Sequence, residues 1–173
     1  MKKSTVSAMS VIASVALVSC LFTSGCKLNP DQVSVIAQSA GLFSAVGWIA
    51  IDNPDTGAIE SVKTILVTIE LKAADVQGGS TYTAAIYPEV EKVIASDIAA
   101  QYQPICKAGA ISLLGGLDML FAANPEWKKS QEVALTVVDA FILGAKSGLS
   151  MSEKHEIMKA ARSQAAARAR VLK

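Results

Sequence analysis

The sequence predicts an all-α protein, a bundle of about five to seven helices that follows a cleaved N-terminal signal. Apolar residues recur at three-and-four spacing over long stretches, as a helix with one buried face requires. A helix-start tripeptide of Asn, Pro and an acid appears three times, at Asn29-Pro30-Asp31, Asn53-Pro54-Asp55 and Asn124-Pro125-Glu126. No stretch alternates apolar and polar residues with comparable force. Hydrophobic residues make up 51% of the 173 and aromatics only 5%. The core is therefore expected to be built from Ala, Val, Ile and Leu, which suits closely packed helices.

Each tripeptide reads as N-cap, N1 and N2. Asn accepts from the free first-turn amides, Pro has no amide to leave unpaired, and the acid faces the positive end of the helix dipole. After the first start, Gln32 to Ile51 carries no charge, and Ala37, Gly41 and Ala45 recur every fourth residue. Small residues at that spacing let another helix approach closely, in a buried bundle helix or in a membrane span. Gln32, Ser34, Gln38, Ser39 and Ser44 spread polarity along the segment and favour the bundle. The next helix places Ile59, Val62, Ile65, Leu66, Ile69, Ala73 and Val76 on one face and Glu60, Lys63, Glu70, Lys72 and Asp75 elsewhere. Gly78 and Gly79 end it, and Gly78 to Thr83 reads as a loop. Pro88 is expected to open the following helix, with Glu89 and Glu91 in its first turn and Val90, Val93, Ile94 and Ile98 inward. That helix stops or bends before Pro104. Ile105 to Ala123 is apolar, with a kink expected near Gly115 and Gly116. The third tripeptide leads to Val133, Val137, Val138, Phe141 and Ile142, with Gly144 or Gly148 as terminator. Ser150 and Glu153 then form a capping box for a last helix from about Met151, whose positive residues gather toward its end.

The N-terminus has a different logic. Lys2 and Lys3 precede an uncharged run, Val11 to Phe22, which ends at Thr23, Ser24, Gly25 and Cys26. A positive start, an apolar stretch and a small-residue cleavage zone make an export signal. Thr23-Ser24-Gly25-Cys26 resembles the lipobox of bacterial lipoproteins, although the usual Leu is Thr23 here. The resemblance implies that residues 1–25 are removed and that Cys26 is acylated and becomes the first residue. Length and helical patterning then make residues 26–173 a single helical domain with a basic C-terminal helix. Leu17-Val18-Ser19-Cys20 also fits, so Cys20 is the alternative, at the cost of a shorter apolar stretch. Two or three acyl chains anchor stably where one would not. In Gram-negative lipoproteins an Asp after the cysteine commonly retains the protein at the inner membrane; with Lys27 there instead, the resemblance implies the periplasmic face of the outer membrane in a Gram-negative host.

The chemistry of the body is sparse. Net charge is +1, which offers no concentrated cationic surface for nucleic acid. Only one histidine is present, His155, so a two-histidine metal site within one chain is excluded, and no metal or other cofactor is expected. Cys106 sits in apolar sequence and reads as a buried thiol. Glu89 and Glu91, two apart on a helix, do not face one another. Asp118 and Asp139 are expected on the exposed sides of their helices. The basic end, with Arg162, Arg168 and Arg170, is a candidate contact for anionic groups.

These features predict a lipid-anchored envelope protein that is not an enzyme. It would act structurally or through protein interaction, with an envelope partner or with itself. The alternative is a membrane-active or multi-pass protein that uses the uncharged helix 32–51. A carrier with a pocket between helices is a third class, resting only on what bundles can host.

Overall fold

A computed structural model describes residues 30–76 and 80–171, and beyond Met151 it describes the backbone alone apart from Lys154. The described residues form five α-helices and one short 3-10 helix: α1 (Pro30–Asp52), α2 (Thr56–Ala73), α3 (Tyr82–Asp97), α4 (Gln103–Ala123), the 3-10 helix (Pro125–Lys129) and α5 (Gln131–Val171). No strand occurs among them.

The helices close a ring in which each touches its neighbours in the order α1, α5, α2, α3, α4 and back to α1, while α2 also reaches across to α4. The most extensive contact is between α1 and α5. Consecutive helices are thus not always neighbours: α1 and α2 are joined within three residues, yet α1 lies along α5 and α4.

The core of α2 is as expected. Ile59, Val62, Ile65, Leu66, Ile69 and Ala73 are all buried. They meet Ile86, Val90 and Ile94 of α3, Leu113, Leu114 and Leu117 of α4, and Val138 and Ile142 of α5 in one cluster. The α1–α5 seam is built differently. A Cβ on Gly41 would collide with the carbonyl of Phe141, and one on Gly144 with the carbonyl of Gln38. A Cβ on Gly148 would lie 3.1 Å from both Ala45 Cβ and Leu42 O. Backbone therefore packs on backbone, and the Ala37, Gly41, Ala45 repeat on α1 meets Gly144 and Gly148 on α5.

Several expected boundaries move, each for a local reason. Asn53 does not cap α2. It takes the left-handed conformation, φ 46°, and its amide donates to Ile49 O at 2.9 Å, closing α1. Asn tolerates that region better than most residues with a Cβ. Asp55 is the true N-cap, accepting from the Ala58 amide at 2.8 Å. Asn124 likewise ends α4, donating from Nδ2 to Leu120 O at 3.0 Å. Only the 3-10 helix follows it, and Ser130 caps α5, with Oγ 3.5 Å from the Val133 amide. The first tripeptide does precede a helix, since α1 begins at Pro30 with Asp31 in its first turn; Asn29 lies outside the described residues.

Pro88 sits inside α3, not at its start. Tyr82 and Thr83, expected in a loop, are the first residues of that helix, while Gly78 and Gly79 lie outside the described residues. Neither Gly144 nor Gly148 ends a helix, and Ser150 and Glu153 lie within α5, which runs unbroken for 41 residues. Those two glycines serve close approach to α1, a role that sequence punctuation cannot distinguish from termination. Gly115 and Gly116 also remain inside continuous α4.

Candidate functional site

Cys26 and Cys20, the candidate acylation sites, lie outside the described residues. The helical body begins four residues after Cys26, at Pro30. Arg162, Arg168 and Arg170 fall on the helical backbone of α5, as does His155, with their side chains outside the described residues.

The remaining chemistry-bearing residues are dispersed. Cys106 is a free thiol, fully buried, with Sγ 3.9 Å from Ala58 O. Burial pushes its pKa up, only partly offset by a hydrogen bond with Ser61. A thiol held protonated is a poor nucleophile. Glu89 and Glu91 do not face one another: Glu89 pairs with Lys92 at 2.7 Å and Glu91 with Lys107 of α4 at 2.7 Å. Among the described residues, no three of His, Cys, Asp and Glu come together as a metal site would need. Asp139 is exposed, as expected.

Asp118 is the correction here. It is partly buried and neither solvated on one side nor paired with a cation. Its Oδ1 accepts from the Tyr82 amide at 2.6 Å and its Oδ2 from the Thr83 amide at 3.1 Å. The carboxylate of α4 thus caps the positive end of α3, alongside Thr81 Oγ1, which accepts from the Ala84 amide at 3.1 Å. A small cluster surrounds this joint. Tyr82 stacks on Phe121 with centroids 4.9 Å apart and planes 16° from parallel. Lys128 lies 5.4 Å from the Tyr82 centroid and 5.6 Å from that of Phe121, and donates to Ser80 O at 3.0 Å. Burial first, and then the nearby Asp118 charge, raise the Tyr82 pKa. The cluster staples α3, α4 and the 3-10 helix together, and every polar contact in it is internal. Sequence pattern missed it because its members are 36 residues apart. The available signal was an acid inside an otherwise apolar helix.

Charge divides the molecule. The described ion pairs Lys63–Glu60, Lys72–Asp75, Lys92–Glu89, Lys107–Glu91 and Lys146–Glu70 all engage α2 or α3. Beside them, α1 carries no charge between Asp31 and Asp52 and still exposes Val35, Phe43, Val46 and Ile51. Among the described residues, three segments are long and apolar enough to cross a membrane: Asp31–Asp52, Gln103–Ala123 and Gln131–Met151. The first is the least covered, with 22% of its most apolar window buried. Trp48, fully enclosed between α1, α2 and α4, has an indole N–H with no acceptor among the described residues.

No protein-family model, curated protein or solved structure matches this chain.

Proposed function

We propose that this chain is a lipid-anchored bacterial envelope protein, acylated on Cys26 and held at the periplasmic face of the outer membrane in a Gram-negative host. Its helical domain acts without catalysis, by binding an envelope partner or a second copy. The observation that carries the reading is the N-terminal run itself: Lys2 and Lys3, the apolar Val11 to Phe22, then Thr23-Ser24-Gly25-Cys26. The dispersal of Cys106, Glu89, Glu91 and Asp118 into structural contacts supports a noncatalytic role.

The intact mass of the protein purified from bacterial membranes tests it. Loss of Met1 to Gly25 and gain of a diacylglyceryl group on Cys26 is the expected result, abolished by Cys26→Ser. A chain that retains Met1, or begins at an unmodified residue, overturns the reading. Acylation at Cys20 instead relocates the anchor by six residues.

A second reading is favoured by the three span-length segments, which would make this a multi-pass protein led by α1. Expression of residues 27–173 discriminates: a monodisperse product without detergent removes this reading, and an absolute detergent requirement supports it.

A further inference from the structure

Among the described residues, nothing covers the outer side of α1. Helical periodicity sets Val35, Ser39, Phe43, Val46 and Ala50 along one stripe, opposite the buried line of Ala37, Gly41, Ala45 and Trp48. Val35 is 62% exposed and Phe43 47%. From Val35 to Ala50 the stripe extends roughly 23 Å along the helix.

Antiparallel to it runs α4, since Gly116 lies on Ser44 and Gly109 on Trp48. The outer side of α4 continues the same character, with Ile111 51% and Met119 53% exposed. Gly47 and Gly115 are open, with nothing within 4 Å of where a Cβ would stand. On α2, by contrast, the exposed Val67 and Leu71 sit in charged company with Glu60, Lys63, Glu70 and Lys72.

The chain before α1 decides what covers this face. Only Lys27, Leu28 and Asn29 separate Cys26 from Pro30, so even a fully extended connection reaches no more than about 14 Å. An acylated Cys26 therefore holds the start of α1 at the headgroups. An upright helix would carry Phe43 and Val46 progressively away into water, whereas a helix lying flat on this stripe covers both.

We propose that the outer face of α1 and α4 is a bilayer-docking surface: lipid on Cys26 delivers α1 to the membrane, and Val35, Phe43, Val46, Ile111 and Met119 rest in the headgroup region. This rests on the lipid-anchor reading. The face supplies the second attachment that lets an acylated domain adopt one orientation, with the ion-paired α2 and α3 side turned away from the lipid.

The test uses the full-length protein as cells process it, reconstituted into phosphatidylethanolamine and phosphatidylglycerol vesicles. Nitroxides are attached through Val35→Cys, Phe43→Cys, Ile111→Cys and Met119→Cys, with Val67→Cys and Leu71→Cys as outward references. Acylation occupies Cys26, and Cys106 is fully buried, so labelling is confined to the new thiols. Circular dichroism confirms that these exposed-site variants stay helical. Expected is a severalfold higher ratio of oxygen to water-soluble nickel accessibility at the α1 and α4 positions than at the α2 references.

Vesicle-bound protein with equal water accessibility at all positions overturns the docking and leaves the anchor standing. Depth that increases steadily along α1 toward the opposite leaflet overturns it in favour of a span. Spin–spin broadening confined to the face, without membrane immersion, overturns it in favour of a second copy. An unacylated N-terminus by mass removes the anchor reading, and this inference with it.

Discussion

The seam between α1 and α5 and the core around α2 hold the same bundle by opposite means. Around α2, branched and aliphatic side chains interdigitate, and Ile65, Leu66 and Val62 are completely enclosed. Along the seam, glycines remove side chains at the points of closest approach, and Gly41 and Gly144 bring each helix's backbone against the other's carbonyl groups. Burial of apolar area dominates the first region. In the second, close backbone approach replaces it with dispersion contact. The core should consequently tolerate added volume better than lost volume, and the seam the reverse.

Truncation in the core has the largest expected effect. Leu66→Ala should cost about 2–5 kcal/mol, read as a fall in the urea midpoint, and a smaller loss than at the seam would break the contrast. Next comes Gly144→Ala, the smallest addition to the seam, expected to cost about 1–3 kcal/mol because backbone must move to admit a methyl. Gly115→Ala sharpens the same point with the opposite sign. That position is open, so the change should stabilise by about 0.5–1 kcal/mol through helix propensity alone. A loss at Gly115 would show that the free chain packs something there.

Asp118→Ala removes a cap shared between helices and should cost about 1–2 kcal/mol, with Thr81→Ala adding less than its isolated effect because both serve the α3 terminus. The smallest effect is in alkali. Burial raises the Cys106 pKa, so as pH climbs past the ordinary thiol value of about 8.5 the unfolded chain loses that proton before the folded one does. Its contribution is full below that value and is lost as pH rises through the folded pKa. Comparing urea midpoints at about pH 8 and about pH 10, the fall should be shallower in Cys106→Ala than in the parent.

Periodicity made the α2 core legible residue by residue, because an amphipathic helix writes its buried face into its spacing. The all-helical class followed from the same signal. Glycine and asparagine were where sequence reasoning slipped. Gly144 carries identical local information whether it ends a helix or admits another one, and only the position of α1, about a hundred residues earlier, separates the two. Asn53 and Asn124 were read as helix starts when both close the helix before them, since one residue type serves both ends. Of the candidate site, the exposed α1 stripe was half legible: the absence of charge was plain, but which side α5 and α4 would cover was a tertiary fact. Asp118 was the reverse, a conspicuous acid whose partners lay on another helix.

The ring order also bears on how the chain comes together during synthesis. Helix α1 is made first, and its principal partner α5 last. Until Phe141 to Gly148 emerges, the small-residue face of α1 has nothing to close on, and the first-turn amides of α3 similarly await a carboxylate 36 residues downstream of Tyr82. Long-range closure of this kind slows folding and prolongs the time that apolar surface stands open to other chains. The nascent N-terminal half is thus the part of the molecule in most need of an escort, and the arrival of α5 is the event that ends that need.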